Sequence, residues 1–125
     1  MVKYLNLLDG VLKYFLLRKI SQMEIIINSV NFKPGTKLER FVREKVSKLF
    51  NKSDQIIRAK VVLRQVESRN PENKLCEIRL MIPGNDHFVR KCTDVYEKSV
   101  LLSVEVLQKI IRRRKNKVIA KRYAQ

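Results

Sequence analysis

Tryptophan is absent from this 125-residue chain, and glycine and proline occur only three times each. So few chain breakers exclude a fibrous or Gly/Pro-rich flexible protein and leave room for long regular elements. Cysteine is as scarce: Cys76 and Cys92 are the only two, they form no CxxC, and His87 is the single histidine. Such a set argues against a zinc site and a disulfide scaffold and points to a reducing cytoplasm. Paired carboxylates, a nucleophile elbow, a glycine-rich phosphate loop and a metal cluster are also missing, so the chain reads as a non-enzyme with no cofactor and no small-molecule substrate. No apolar run reaches the roughly 18 residues of a spanning helix, so no membrane anchor is expected.

Acidic residues are the remaining shortage. Only 12 Asp and Glu stand against 28 Lys and Arg, a formal net charge of +16. The excess is not confined to a tail: four basic residues face one acidic residue in 1–22, fifteen face eight in 23–92, and nine face three in 93–125. A body this basic repels itself unless it meets a polyanion, so RNA, DNA or an anionic membrane surface is the expected class of partner. With 45% hydrophobic and 32% charged residues the chain is globular, and its length suits one domain with its own core.

Residues 1–22 are rich in Leu and Tyr, but Asp9, Lys13, Arg18 and Lys19 interrupt them and no small-residue cleavage site follows. Met23 directly precedes the Ile-rich stretch Glu24-Ile25-Ile26-Ile27, which marks it as the expected functional start. The preceding segment then belongs to an over-extended reading frame. Read as structure, it is a short amphipathic helix with Leu5, Leu8, Leu12 and Phe15 on one side.

From residue 23 the pattern predicts strand, helix, three strands, helix. Glu24 to Phe32 has strand composition, and Lys33-Pro34-Gly35-Thr36 supplies a turn and an N-cap, with Glu39 completing a capping box. Leu38, Phe41, Val42, Val46, Leu49 and Phe50 recur at helical spacing as a buried stripe. Between Gln55 and Val66, Ile57, Ala59, Val61 and Leu63 alternate with Arg58, Lys60, Val62 and Arg64. Cys76, Ile78, Leu80 and Ile82 alternate likewise with Glu77, Arg79 and Met81. Gly84-Asn85 reads as a two-residue hairpin loop. That loop sets Ile82 opposite His87, Met81 opposite Phe88, Arg79 opposite Arg90 and Glu77 opposite Cys92, with Cys76 on the other face. His87 is a solvated or cross-strand residue in this reading, and Arg79 and Arg90 splay into water.

Asp94 opens the last helix, with Val95, Tyr96, Ser99, Val100, Leu102, Val106, Leu107, Ile110 and Ile111 on a broad apolar face and Lys98, Glu105, Lys109 and Arg112 opposite. Tyr96 falls on the apolar face and is assigned to the core rather than to base stacking. Ending near Lys115, the helix would span roughly 33 Å at ~1.5 Å per residue, with its basic end projecting into solvent and residues 118–125 trailing as a basic tail. The fold class is therefore α+β: a two-layer βαβββα sandwich over residues 23–117, its four-stranded sheet carrying both helices on one face.

Several motifs in this order resemble the short ribosome hibernation promoting factors, also called ribosome-associated inhibitor A or sigma-54 modulation proteins. They are the opening Ile25-Ile26-Ile27-Asn28-Ser29-Val30-Asn31-Phe32, Val46-Ser47-Lys48-Leu49-Phe50, Asn70-Pro71-Glu72-Asn73-Lys74 with Cys76-Glu77-Ile78-Arg79-Leu80, Ile82-Pro83-Gly84-Asn85-Asp86, Asp94-Val95-Tyr96, and Leu107-Gln108-Lys109 before the Arg/Lys cluster. The resemblance implies a domain similar to double-stranded RNA-binding domains that occupies the decoding region of the small ribosomal subunit. It further implies that the protein blocks messenger and transfer RNA on the 70S ribosome in stationary phase or under stress. Long members add a C-terminal dimerisation domain, whereas this chain looks like a short form, a monomer off the ribosome. It departs from many members at Glu105, where a basic residue is common.

Folded ribosomal RNA is read through phosphates and 2′-hydroxyls, which calls for rigidly placed cations. The candidates are Lys37, Arg40 and Lys48 on the first helix, Lys91 ahead of the second, and Lys98, Lys109, Arg112, Arg113, Arg114 and Lys115 along it. Arg43, Lys52 and Lys60 are assigned to solvent. The alternative is a protein-interaction module acting on a sigma factor or RNA polymerase, which predicts polymerase binding with little ribosome association.

Overall fold

The computed structural model describes residues 24–67 and 69–123, so the readings of the first 22 residues and of Met23 lie outside it. Six elements follow in order: β1 (Glu24–Val30), α1 (Thr36–Lys52), β2 (Arg58–Gln65), β3 (Lys74–Met81), β4 (His87–Thr93) and α2 (Tyr96–Tyr123). The sheet order is β1-β2-β3-β4, with β1 parallel to β2 and the other neighbours antiparallel. Parallel neighbours need a crossover, and α1 provides it. Both helices cover one sheet face, as the α+β reading expects, and the core lies between the layers.

Alternation decides which side chains enter that core. Ala59, Val61 and Leu63 of β2, Cys76, Ile78 and Leu80 of β3 and Val89 of β4 are buried beneath the helices. From the helices, Val42, Val46, Leu49 and Phe50 meet Val100, Val104, Leu107 and Ile111. Ile57, expected on the inward face, is 56% exposed, because β2 begins only at Arg58 and the loop turns Ile56 inward instead. Val95 and Leu102 are likewise exposed, while Ser103 and Val104 take the buried positions. The inward stripe of α2 is narrower than its apolar sequence.

Local chemistry corrects three further expectations. Thr36 is the first residue of α1 and Gly35 stands at the N-cap with no side-chain cap, so the capping box does not form; Glu39 pairs with Arg43 at 3.3 Å. The hairpin turns at Ile82-Pro83-Gly84-Asn85, where Asn85 N–H donates to the Ile82 carbonyl and Gly84 has φ +88°. Proline presets the first central position and glycine takes the left-handed second one, the pattern of a type II turn. This register sets Leu80, not Ile82, opposite His87, and a two-residue shift keeps every side chain on its face while changing its partner. Arg79 therefore meets Phe88, its guanidinium 5.4 Å from the ring centroid, and Arg90 meets Glu77 at 2.6 Å. The predicted like-charge pair is absent. Finally, α2 runs through Tyr123, so 118–123 is helix rather than trailing tail; its 28 residues span about 42 Å at ~1.5 Å each.

A polar knot fastens the start of α2. Ser99 Oγ lies 2.7 Å from Thr93 Oγ1 and donates to the Lys74 carbonyl at 2.6 Å, while Ser103 donates to the Ser99 carbonyl. Tyr96 stacks on Phe32 with ring centroids 4.9 Å apart, in the packing role the sequence assigned it. Leu107 is fully buried where helix meets sheet, so Leu107→Ala is expected to destabilise the fold by about 2–5 kcal/mol in urea unfolding. Burial pushes the Cys76 thiol up to about 12, whereas Cys92 is exposed on the opposite sheet face. Iodoacetamide should therefore alkylate Cys92 in the native protein and reach Cys76 only after unfolding.

Candidate nucleic-acid interface

The two helices run in the same direction. Phe32, just before α1, touches Tyr96 at the start of α2, and Lys52 at the end of α1 lines a small cavity with Gln108, Ile111, Arg112 and Lys115. The end of α1 therefore lies beside Gln108, Arg112 and Lys115, so cations of both helices gather at one pole, and α2 runs on about two turns farther to Tyr123. Lys52, assigned to solvent from the sequence, stands beside two of the predicted RNA-binding residues. Its partners lie more than fifty positions away in the chain, beyond the reach of periodicity.

Lys37, Arg40 and Lys48 are exposed on α1, and Lys98, Lys109, Arg112, Arg113 and Lys115 are exposed on α2. Lys91 is half-buried in the edge strand β4, opposite Cys76 and hence on the helix side of the sheet. These cations do not form one patch: Lys98 and Arg112 are about 21 Å apart along the helix. Lys98 and Lys109 each have a carboxylate one turn back, Asp94 and Glu105, both at 3.9 Å. Such exposed pairs are weak and leave the ammonium groups free to take phosphate. Glu105 thus sits beside a candidate contact. Arg112, Arg113 and Lys115 have no carboxylate within ion-pair distance among the described residues.

The open sheet face carries a second set of cations, and its carboxylates answer most of them. Arg58 pairs with Glu24 at 2.9 Å, and Arg64 and Arg90 share Glu77 Oε1 at 3.4 and 2.6 Å. Arg43 is also engaged, donating to Glu39 and to the Ile25 carbonyl. Lys60 is exposed on this face, as assigned.

Beyond Arg112 the helix does not simply project into solvent. It passes over the loop 53–55 and the base of the β3–β4 hairpin, leaving a groove of about 400 Å³. Ile111, Val118, Ile119 and Ile82 supply its apolar walls, and Arg114, Lys115, Arg122, His87 and Asp54 its polar lining. Arg114 is half-buried, unlike its neighbours; its Nη1 and His87 Nε2 are both enclosed without a hydrogen-bond partner. In the sequence Arg114 is one cation of a run and His87 a solvated or cross-strand residue; the approach of α2 to the hairpin, a tertiary fact, brings them together. Burial holds the His87 pKa below the ordinary histidine value, the positive field of Arg114 lowers it further, and Asp86 opposes both. His87 should therefore keep its neutral form to lower pH than a free histidine. In an NMR titration Arg114→Gln is expected to move its midpoint upward by removing one of the two depressing effects.

Among the described residues no helix is long and apolar enough to cross a membrane, and no group of His, Cys, Asp and Glu could hold a metal ion. A search of curated proteins returns no match. Among solved structures, the N-terminal domain of Protein Y from Thermus thermophilus aligns with a TM-score of 0.60 at 21% identity, covering 74% of this chain and 97% of that one. A ribosomal subunit interface protein from Coxiella burnetii aligns with a TM-score of 0.65 at 17% identity, covering 75% and 99%. These likenesses establish the shared fold. The model of the Sigma 54 modulation protein / S30EA ribosomal protein family matches residues 25–119, nearly the whole described sandwich, and the chain belongs to that family.

Proposed function

We propose that the protein binds the small ribosomal subunit at its decoding region in the cytoplasm and inhibits translation by occupying the path of messenger and transfer RNA. The family is one of ribosome-associated binding factors rather than enzymes, and the Coxiella relative is named for the ribosomal subunit interface. The observation that carries the reading is the cationic run Arg112, Arg113 and Lys115, without a carboxylate partner among the described residues and held on a stiff helix whose Arg112 and Lys115 lie beside Lys52. Lys37, Arg40 and Lys48 add a second line of charge on the parallel helix.

A cation set fixed on a rigid layer suits a folded RNA whose phosphates are fixed too. Each contact releases counterions as it forms, so affinity grows with the number of contacts and falls with salt. Occlusion needs no chemistry beyond that: a body wedged in the channel by many weak contacts excludes substrates by volume. Stationary phase or starvation, when idle ribosomes accumulate, is the condition in which such a plug preserves rather than harms. Off the ribosome the protein is a monomer.

Co-sedimentation with small subunits and 70S ribosomes across a salt series tests this reading. Binding should weaken steeply as salt rises, and replacing Arg112, Arg113 and Lys115 together by Gln should lower the slope of log affinity against log salt by about 2–3. Salt-independent ribosome binding, or retention by RNA polymerase with none by ribosomes, would reject it.

A further inference from the structure

We propose that the groove beneath the last turns of α2 receives one unstacked nucleotide of the bound RNA, its base against Ile82, Ile111, Val118 and Ile119 and its phosphate on Arg114 and Arg122. This rests on the RNA-binding reading above and gives one place on that surface a chemical selectivity that phosphate contacts lack.

Three observations converge there. The volume, about 400 Å³, lies within the range of small-ligand sites, and its walls are the aliphatic surfaces that a flat base can cover. Arg114 and His87 both line the groove, and one nitrogen of each, Nη1 and Nε2, is enclosed beside it and unpartnered. An enclosed guanidinium N–H without an acceptor is costly, and a phosphate oxygen would meet it with a short charge-assisted bond. The lining also carries three cations, Arg114, Lys115 and Arg122, against the single carboxylate of Asp54. That balance favours an anionic occupant, and Asp54 remains available to accept from a base amino group. An aliphatic protein segment could cover the walls and offer Arg114 a carbonyl, but it would leave the positive charge of Arg114, Lys115 and Arg122 without a counter-charge.

The exposed side of the same helix completes the design. Arg112, Arg113, Lys117 and Lys121 lie outside the groove and are solvent-exposed, so they can hold the phosphates flanking an extruded nucleotide. RNA recognition beyond shape usually works through such splayed bases.

The test uses a short RNA duplex in three forms: fully paired, with one bulged adenosine, and with an abasic residue at the bulge. The full-length protein should bind the bulged form about tenfold more tightly than the other two, the order expected for burying one base. Arg114→Gln and Ile119→Asp should each abolish that preference, bringing the bulged form to the affinity of the other two; because both change the charge facing the RNA, the readout is the ratio among the three forms within each variant. Ile119 is 50% exposed, so the fold should survive its replacement, and far-UV circular dichroism of the variant checks this. Arg113→Gln, outside the groove, should weaken all three duplexes equally. Equal binding of the three forms, or a preference that persists in both groove variants, overturns the assignment while salt-sensitive ribosome binding still stands. Loss of ribosome binding by Ile119→Asp without any bulge preference assigns the groove to a ribosomal-protein segment instead and equally overturns it. A bulge preference in a protein that ignores ribosomes upholds the groove and rejects the ribosome reading.

Discussion

Docking of α2 onto the sheet through Val100, Val104, Leu107 and Ile111 is the contact on which the rest depends. The C-terminal half of that helix carries Arg112, Arg113, Arg114, Lys115, Lys117, Lys121 and Arg122 with no acid among them. As an isolated peptide it would repel itself at successive turns, and helix nucleation would be unfavourable. Burial of the first four turns supplies the nucleus, and the charged turns then extend a helix already formed. The core thereby holds in place a concentration of charge that cannot order itself.

The start of α2 needs a different anchor, because Val95, Leu101 and Leu102 remain at the surface. Hydrogen bonds do that work. Thr93, Ser99 and Ser103 are buried polar groups whose hydroxyls are all satisfied, tying β4, the first carbonyl of β3 and the first helical turns together. Such a network defines one position along the helix axis where apolar packing alone would tolerate sliding. With Tyr96 stacked on Phe32, it also aligns the start of α2 with that of α1. The end of α1 and the cationic middle turns of α2 consequently share one pole, and α2, the longer helix, runs on past it.

That shared pole gives the charge excess a direction. On the open sheet face, Glu24 and Glu77 answer three arginines and Phe88 lies under a fourth. On the helix layer, acids pair loosely with Lys98 and Lys109 and then run out after Glu105. An approaching polyanion is therefore drawn more strongly to the helix ends than to the sheet, even though both surfaces are rich in Arg and Lys. The groove at the same pole adds apolar surface to that field.

The element order, the inward residues of the strands and the cationic stripe along α2 were legible in the chain, because periods of two and of about 3.6 are properties of neighbouring residues. So was the family resemblance. Legibility failed where a neighbour's choice depended on something distant: the hairpin register, which Pro83 and Gly84 moved by two residues; the N-cap, taken by Gly35; the narrow buried stripe of α2, set by how much of it the sheet can reach. The candidate site divided along the same line. Sequence by itself determined that this protein is a basic α+β sandwich with a cationic last helix, since composition and periodicity are local. Tertiary structure alone decided that Lys52 joins Arg112 and Lys115, that Arg114 turns from its neighbours toward His87, and that a groove opens between them. Those are distances between segments far apart in the chain, and only the packing of two helices side by side on one sheet brings them together.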